Sequence, residues 1–131
     1  MIARRPGAAA AGLVFAALVL LGACGGGGGS TSSYKQPTGP AAATVDIDAG
    51  NYSFKPKHPT VPAGIVKIRM KNVSGNPHTL AISRVDGYQL SVSGGGSTDA
   101  KKVDLKPGTY TFYCTIPGHR SAGMEGKLTV S

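Results

Sequence analysis

Three side chains with an affinity for soft metals lie five residues apart in the stretch Tyr113–Lys127, YCTIPGHRSAGMEGK: Cys114, His119 and Met124. A thiolate, an imidazole and a thioether suit copper as it alternates between Cu(I) and Cu(II). Pro117, Gly118 and Gly123 lie between them and favour a loop, in which the side chains can converge on one point instead of alternating across a strand. A fourth donor is needed. His78, far upstream in NPHT, is the natural candidate, and with it the set becomes two His and one Cys in a trigonal plane with a weak axial Met.

An upstream His followed by a C-terminal Cys-x4-His-x4-Met loop resembles the blue-copper proteins, the cupredoxins. The likeness spans roughly residues 44–131, and the loop length is similar to that of rusticyanin, sulfocyanin and auracyanin more than to the shorter plastocyanin loop. The resemblance implies one type 1 copper ion held by His78, Cys114, His119 and Met124, with both imidazoles ligating through Nδ1. It also implies that His119 lies at the surface as the electron port, rimmed by Ile116, Pro117, Ala122 and Pro77. Many such proteins carry Asn after the first His. Here Thr79 follows His78, so the resemblance does not say how the two loops are pinned together.

These donors need strands to position them. Tyr110, Phe112 and Cys114 alternate with Thr109, Thr111 and Tyr113 before the loop, and GKLTVS after it is β-prone. TVDID places Val45 and Ile47 on one face, IVKIRMKN does the same with Val66, Ile68 and Met70, and NPHTLAIS carries Leu80 and Ile82. Met70 therefore reads as core filler, not as a ligand. GYQLSVS and the run ending in AKKVDL add Leu90, Val92, Val103 and Leu105, and Phe54, Leu128 and Val130 complete the expected core. The segment around Pro56, Pro59 and Pro62 suits an edge strand or extended loop, because each proline withholds a ladder donor. His58, within it, has no neighbour to complete a site. No stretch has a helical period. Seven to eight short strands separated by turn signals predict an all-β Greek-key sandwich.

The N-terminus reads differently. Arg4 and Arg5 precede an apolar run containing LVFAALVLL, then Leu21, Gly22, Ala23 and Cys24. This has the shape of an export signal over residues 1–23, and the apolar run is shorter than the ~18 or more residues of a membrane span. A cysteine just after such a site resembles a bacterial lipobox, which implies lipid on Cys24 and anchorage at the outer face of the cell membrane. Residues 24–43, GGGGGSTSSYKQPTGPAAA after the cysteine, offer little apolar bulk and are expected to form a flexible tether. The domain would follow at 44–131.

The chain has 131 residues, two cysteines and a formal charge of +8; without residues 1–23 the charge would be +6. A Cys24–Cys114 disulfide would leave the His and Met placements unexplained, whereas a lipidated Cys24 leaves Cys114 free to hold a metal. The lysines are dispersed and lack interleaved aromatics, which argues against nucleic-acid binding and for an acidic redox partner or anionic surface. A binuclear copper site would need a second Cys in the loop, and Cys114 has none beside it; only His58 is left over for a multicopper enzyme, so no catalytic residues are assigned. The expected function is single-electron transfer by a monomer between extracytoplasmic redox partners. A copper carrier or sensor without a shuttle role is the alternative.

Overall fold

A computed structural model describes residues 33–131 and the isolated Gly7; the expected export signal and Cys24 lie outside the described residues. Nine strands run in the order β1 Ala43–Gly50, β2 Ser53–Lys55, β3 Thr60–Val61, β4 Gly64–Asn72, β5 His78–Ile82, β6 Gln89–Val92, β7 Thr98–Leu105, β8 Gly108–Tyr113 and β9 Glu125–Val130. They form two sheets, β2-β1-β4-β7 and β3-β9-β8-β5-β6. Strands β1 and β4 are parallel, as are β3 and β9, and the other pairs are antiparallel. The architecture is the expected all-β sandwich. Its count exceeds seven to eight because the proline-rich segment supplies two short edge strands, β2 in one sheet and β3 in the other. Pro56, Pro59 and Pro62 themselves fall just outside the two strands, which keeps them short.

Alternation in the strands becomes burial. In β4 the pattern puts Val66, Ile68 and Met70 inside with Lys67, Arg69 and Lys71 outside, and every other residue expected in the core is likewise buried. Phe54 and Phe112 cross the gap between the sheets, ring centroids 5.4 Å apart. The sequence reading did not anticipate Ala49, Val61 and Tyr88, which are also buried.

Part of the expected tether is not loose. From Tyr34 onward the chain lies along the open edge of β7: Tyr34 donates to the Lys102 carbonyl at 3.1 Å, and Gln36 Oε1 accepts from Lys102 N–H at 2.8 Å. Tyr34 also meets Tyr88 edge to face at 5.1 Å. The composition of 24–43 is low in apolar bulk on average, yet one aromatic and one amide satisfy both backbone groups of Lys102 on the edge strand.

Candidate metal centre

Strand register brings the donors together at one end of the sandwich. Strands β5 and β8 pair with Ala81 opposite Tyr113, which carries His78, first residue of β5, alongside Cys114 just past β8. Strands β8 and β9 pair with Tyr113 opposite Glu125, so Met124 stands beside Cys114, whose N–H donates to the Met124 carbonyl at 3.1 Å. Between them the loop closes through tight turns: His119 N–H donates to Ile116 O and Met124 N–H to His119 O, each at 3.1 Å. Gly118 and Gly123 take φ of 84° and 112°, a region that side chains with a Cβ rarely enter.

The nitrogen and sulfur donor atoms of His78, Cys114 and His119 all lie within 4.8 Å of one another. Cys114 Sγ is 3.6 Å from His119 Nδ1, and the two imidazole centroids are 5.3 Å apart. Met124 is fully buried next to this group. His58, by contrast, is exposed and outside the cluster, and Met70 is in the core.

The donor set fits a metal on a direct observation. His78 is 1% exposed and its Nδ1 is a buried nitrogen without a hydrogen-bond partner, the only such side-chain atom among the described residues. An unmade bond on a buried polar atom is costly, so evolution seldom leaves one without a use. Its other nitrogen, Nε2, is held by Ser74 Oγ at 2.7 Å. Burial, and then the neighbouring His119, push the His78 pKa below its ordinary value, which favours the neutral ring that a metal requires. Cys114 is a buried free cysteine, and the Thr79 N–H points at its Sγ from 3.4 Å.

Thr79 answers the question left by the missing Asn. Its Oγ1 accepts from Thr115 N–H at 2.7 Å and touches Thr115 Oγ1 at 2.7 Å, joining the β5 start to the residue after Cys114. A threonine hydroxyl thus does the pinning. His119 is half-buried, and of the residues expected at its rim Pro77, Pro117 and Ala122 are exposed and Ile116 is half-buried. The sequence reading missed Tyr52, which sits at φ 56°, is 45% exposed and meets the His119 ring edge to face at 5.0 Å. Only its place after the Gly50-Asn51 turn hinted at an exposed position.

Arg120 stacks over Tyr113 at 4.1 Å and pairs with Glu125 at 2.9 Å, closing the flank of the loop.

Comparison with known proteins agrees with this geometry. The family model for copper binding proteins of the plastocyanin/azurin family matches residues 41–131. Plastocyanin B'/B'' of Nicotiana tabacum is 38% identical over 96 residues, covering 64% of this chain and 93% of its own length. Plastocyanin of Mercurialis perennis is 36% identical over 96 residues with the same coverage. Among solved structures, dithionite-reduced auracyanin from Roseiflexus castenholzii is 27% identical with a TM-score of 0.61, covering 70% of this chain and 99% of the other. An azurin from Methylomonas sp. strain J, 16% identical with a TM-score of 0.58, shares the fold. The His78–Cys114–His119 cluster and the match across 41–131 together make this chain a cupredoxin, a member of the copper-binding plastocyanin/azurin family whose cofactor is copper.

Proposed function

We propose that the protein is a blue-copper electron carrier, exported and held at the outer face of a bacterial membrane by lipid on Cys24. It exchanges single electrons as a monomer with redox proteins that dock at its metal end. His78, Cys114 and His119 are the equatorial ligands and Met124 the axial one. The observation that carries the reading is the asymmetry of burial: His78, Cys114 and Met124 are sealed inside while His119 alone of the four is half-exposed.

Copper bound here would supply a one-electron couple between Cu(I) and Cu(II). The chain's own residues supply rigidity. His78 begins β5, Cys114 directly follows β8 and Met124 directly precedes β9, three strands of one sheet, so none of the three can shift without disturbing the ladder beside it. Thr79 N–H holds the Cys114 sulfur, and the Thr79–Thr115 bond keeps the two loops in step. The apolar rim of Pro77, Ile116 and Pro117 excludes water from a transient contact. Lys57, Arg120 and Lys127 line one depression beside the loop, in which Glu125 is the acid and is already engaged by Arg120. Such a flank favours an acidic partner.

The test is optical and then kinetic. Copper-loaded protein should show an intense visible band that bleaches with ascorbate, returns with an oxidant, and is absent in Cys114→Ala. It should also be reduced by membranes from its source cell. A colourless copper complex, or colour that does not cycle, would overturn electron carriage and favour a copper carrier or sensor.

A further inference from the structure

The sequence marks Ser74-Gly75 only as a turn, yet the turn carries a directed chain of hydrogen bonds into the metal centre. Asn72, last residue of β4, is fully buried. Its Oδ1 accepts from Ser74 N–H at 2.8 Å and meets Ser74 Oγ at 3.0 Å, while its Nδ2 donates to the Asn76 carbonyl at 2.7 Å. Exchanging the amide oxygen and nitrogen would set NH₂ against N–H and oxygen against carbonyl, so the orientation of the amide is determined.

That orientation decides where the Ser74 proton goes. Asn72 Oδ1 takes it, since the competing Asn76 carbonyl is farther, 3.4 Å, and is already occupied by Asn72 Nδ2. The remaining lone pairs of Ser74 Oγ face Asn76 N–H at 3.3 Å and His78 Nε2 at 2.7 Å. At this last contact both atoms cannot accept, so Nε2 must be the donor. A neutral ring protonated on Nε2 carries its lone pair on Nδ1, the buried atom without a partner.

We propose that Ser74 is a positioning residue for the copper centre: its hydroxyl, aimed by Asn72, accepts the Nε2 proton of His78 and so sets the tautomer and ring orientation that offer Nδ1 to the metal. The proposal rests on His78 as a copper ligand and not on electron carriage. Without an acceptor for Nε2–H, the ring divides between two tautomers and two orientations, and only one combination binds. Partners of this kind on a ligating histidine change metal affinity by roughly 10- to 100-fold.

The experiment begins with metal-free protein, at about pH 8 where histidine is neutral. Nitrogen-15 NMR of the His78 ring should show Nε2 protonated and Nδ1 bare. Ser74→Ala should mix the tautomers and weaken copper binding by roughly 10- to 100-fold, with the amide spectrum of the sheets retained. Ser74→Thr, which keeps the hydroxyl, should restore both readings. A proton on Nδ1 in the native protein, or a Ser74→Ala protein with unchanged tautomer and affinity, would overturn the proposal. The native-protein measurement needs no variant to fold, and it would stand even if the protein never carried an electron.

Discussion

Gly126, second residue of β9, is opposite Phe112 of β8 in the sheet that holds the ligands. A Cβ placed on it would overlap Phe112 Cζ and stand 2.9 Å from Cε1 and 2.5 Å from the Lys57 carbonyl oxygen. Neither neighbour can give way cheaply. Phe112 is 1% exposed and packs against Phe54, while the Lys57 carbonyl accepts from Lys127 N–H at 2.9 Å and so ties the β2–β3 segment to β9. Overpacking a tight core costs about 1–3 kcal/mol, and loosening the Lys57–Lys127 bond adds about 1 kcal/mol. Gly126→Ala should therefore cost about 3 kcal/mol, which at 4–8 °C per kcal/mol lowers Tm by roughly 12–24 °C in a domain of this size. Thermal unfolding of the metal-free protein followed by circular dichroism reads this directly. Gly94→Ala is the control, because a Cβ there meets open space, and its stability should stay within about 0.5 kcal/mol of the native value. A Gly126→Ala protein melting less than about 4 °C below the native one would refute the packing argument.

Met124→Leu keeps buried volume at a cost below about 1.5 kcal/mol; it should retain copper and colour but raise the reduction potential, and unchanged voltammetry would put another atom in the axial position. Thr79→Val removes the acceptor of Thr115 N–H while sparing the Thr79 N–H that faces sulfur. It should lower the urea-unfolding free energy by about 0.5–1.5 kcal/mol with the visible band retained, and an unchanged midpoint would show that the two loops do not need this pin. Tyr88 is buried and donates to the Lys101 carbonyl; burial first, then Tyr34 and Asp99, raise its pKa far above the ordinary 10.0. Its contribution is complete below the unfolded-state value and is lost as pH climbs from about 10 toward the folded-state value, because the unfolded chain releases the proton first. Urea unfolding at increasing pH should show a steeper alkaline loss for the native protein than for Tyr88→Phe, and parallel curves would exclude Tyr88 as the source.

Much of the centre could be read from residue types and spacing. Cys114, His119 and Met124 occupy one short loop, so their chemistry and proximity are local facts, and the period-two alternation in β1, β4 and β8 marks which side chains go inside. The buried set agrees with that reading because a pleated strand sends neighbours to opposite faces whatever sheet it joins. His78 was reachable as the one histidine at the start of an apolar strand, but its distance from Cys114 depends on the pairing of Ala81 with Tyr113.

Other features depend on contacts between residues far apart in the chain. Tyr52 against His119, Thr79 against Thr115 and Tyr34 on the β7 edge each join segments that no local pattern connects. Ser74 is the sharper case: four residues from His78, it has the composition of an ordinary turn, and only the buried Asn72 amide makes its hydroxyl directional. Side-chain chemistry and alternation belong to single segments, and so they survive in a linear string of letters. Register, burial and the direction of a hydrogen bond are properties of pairs, and they exist only once the two sheets have closed on each other.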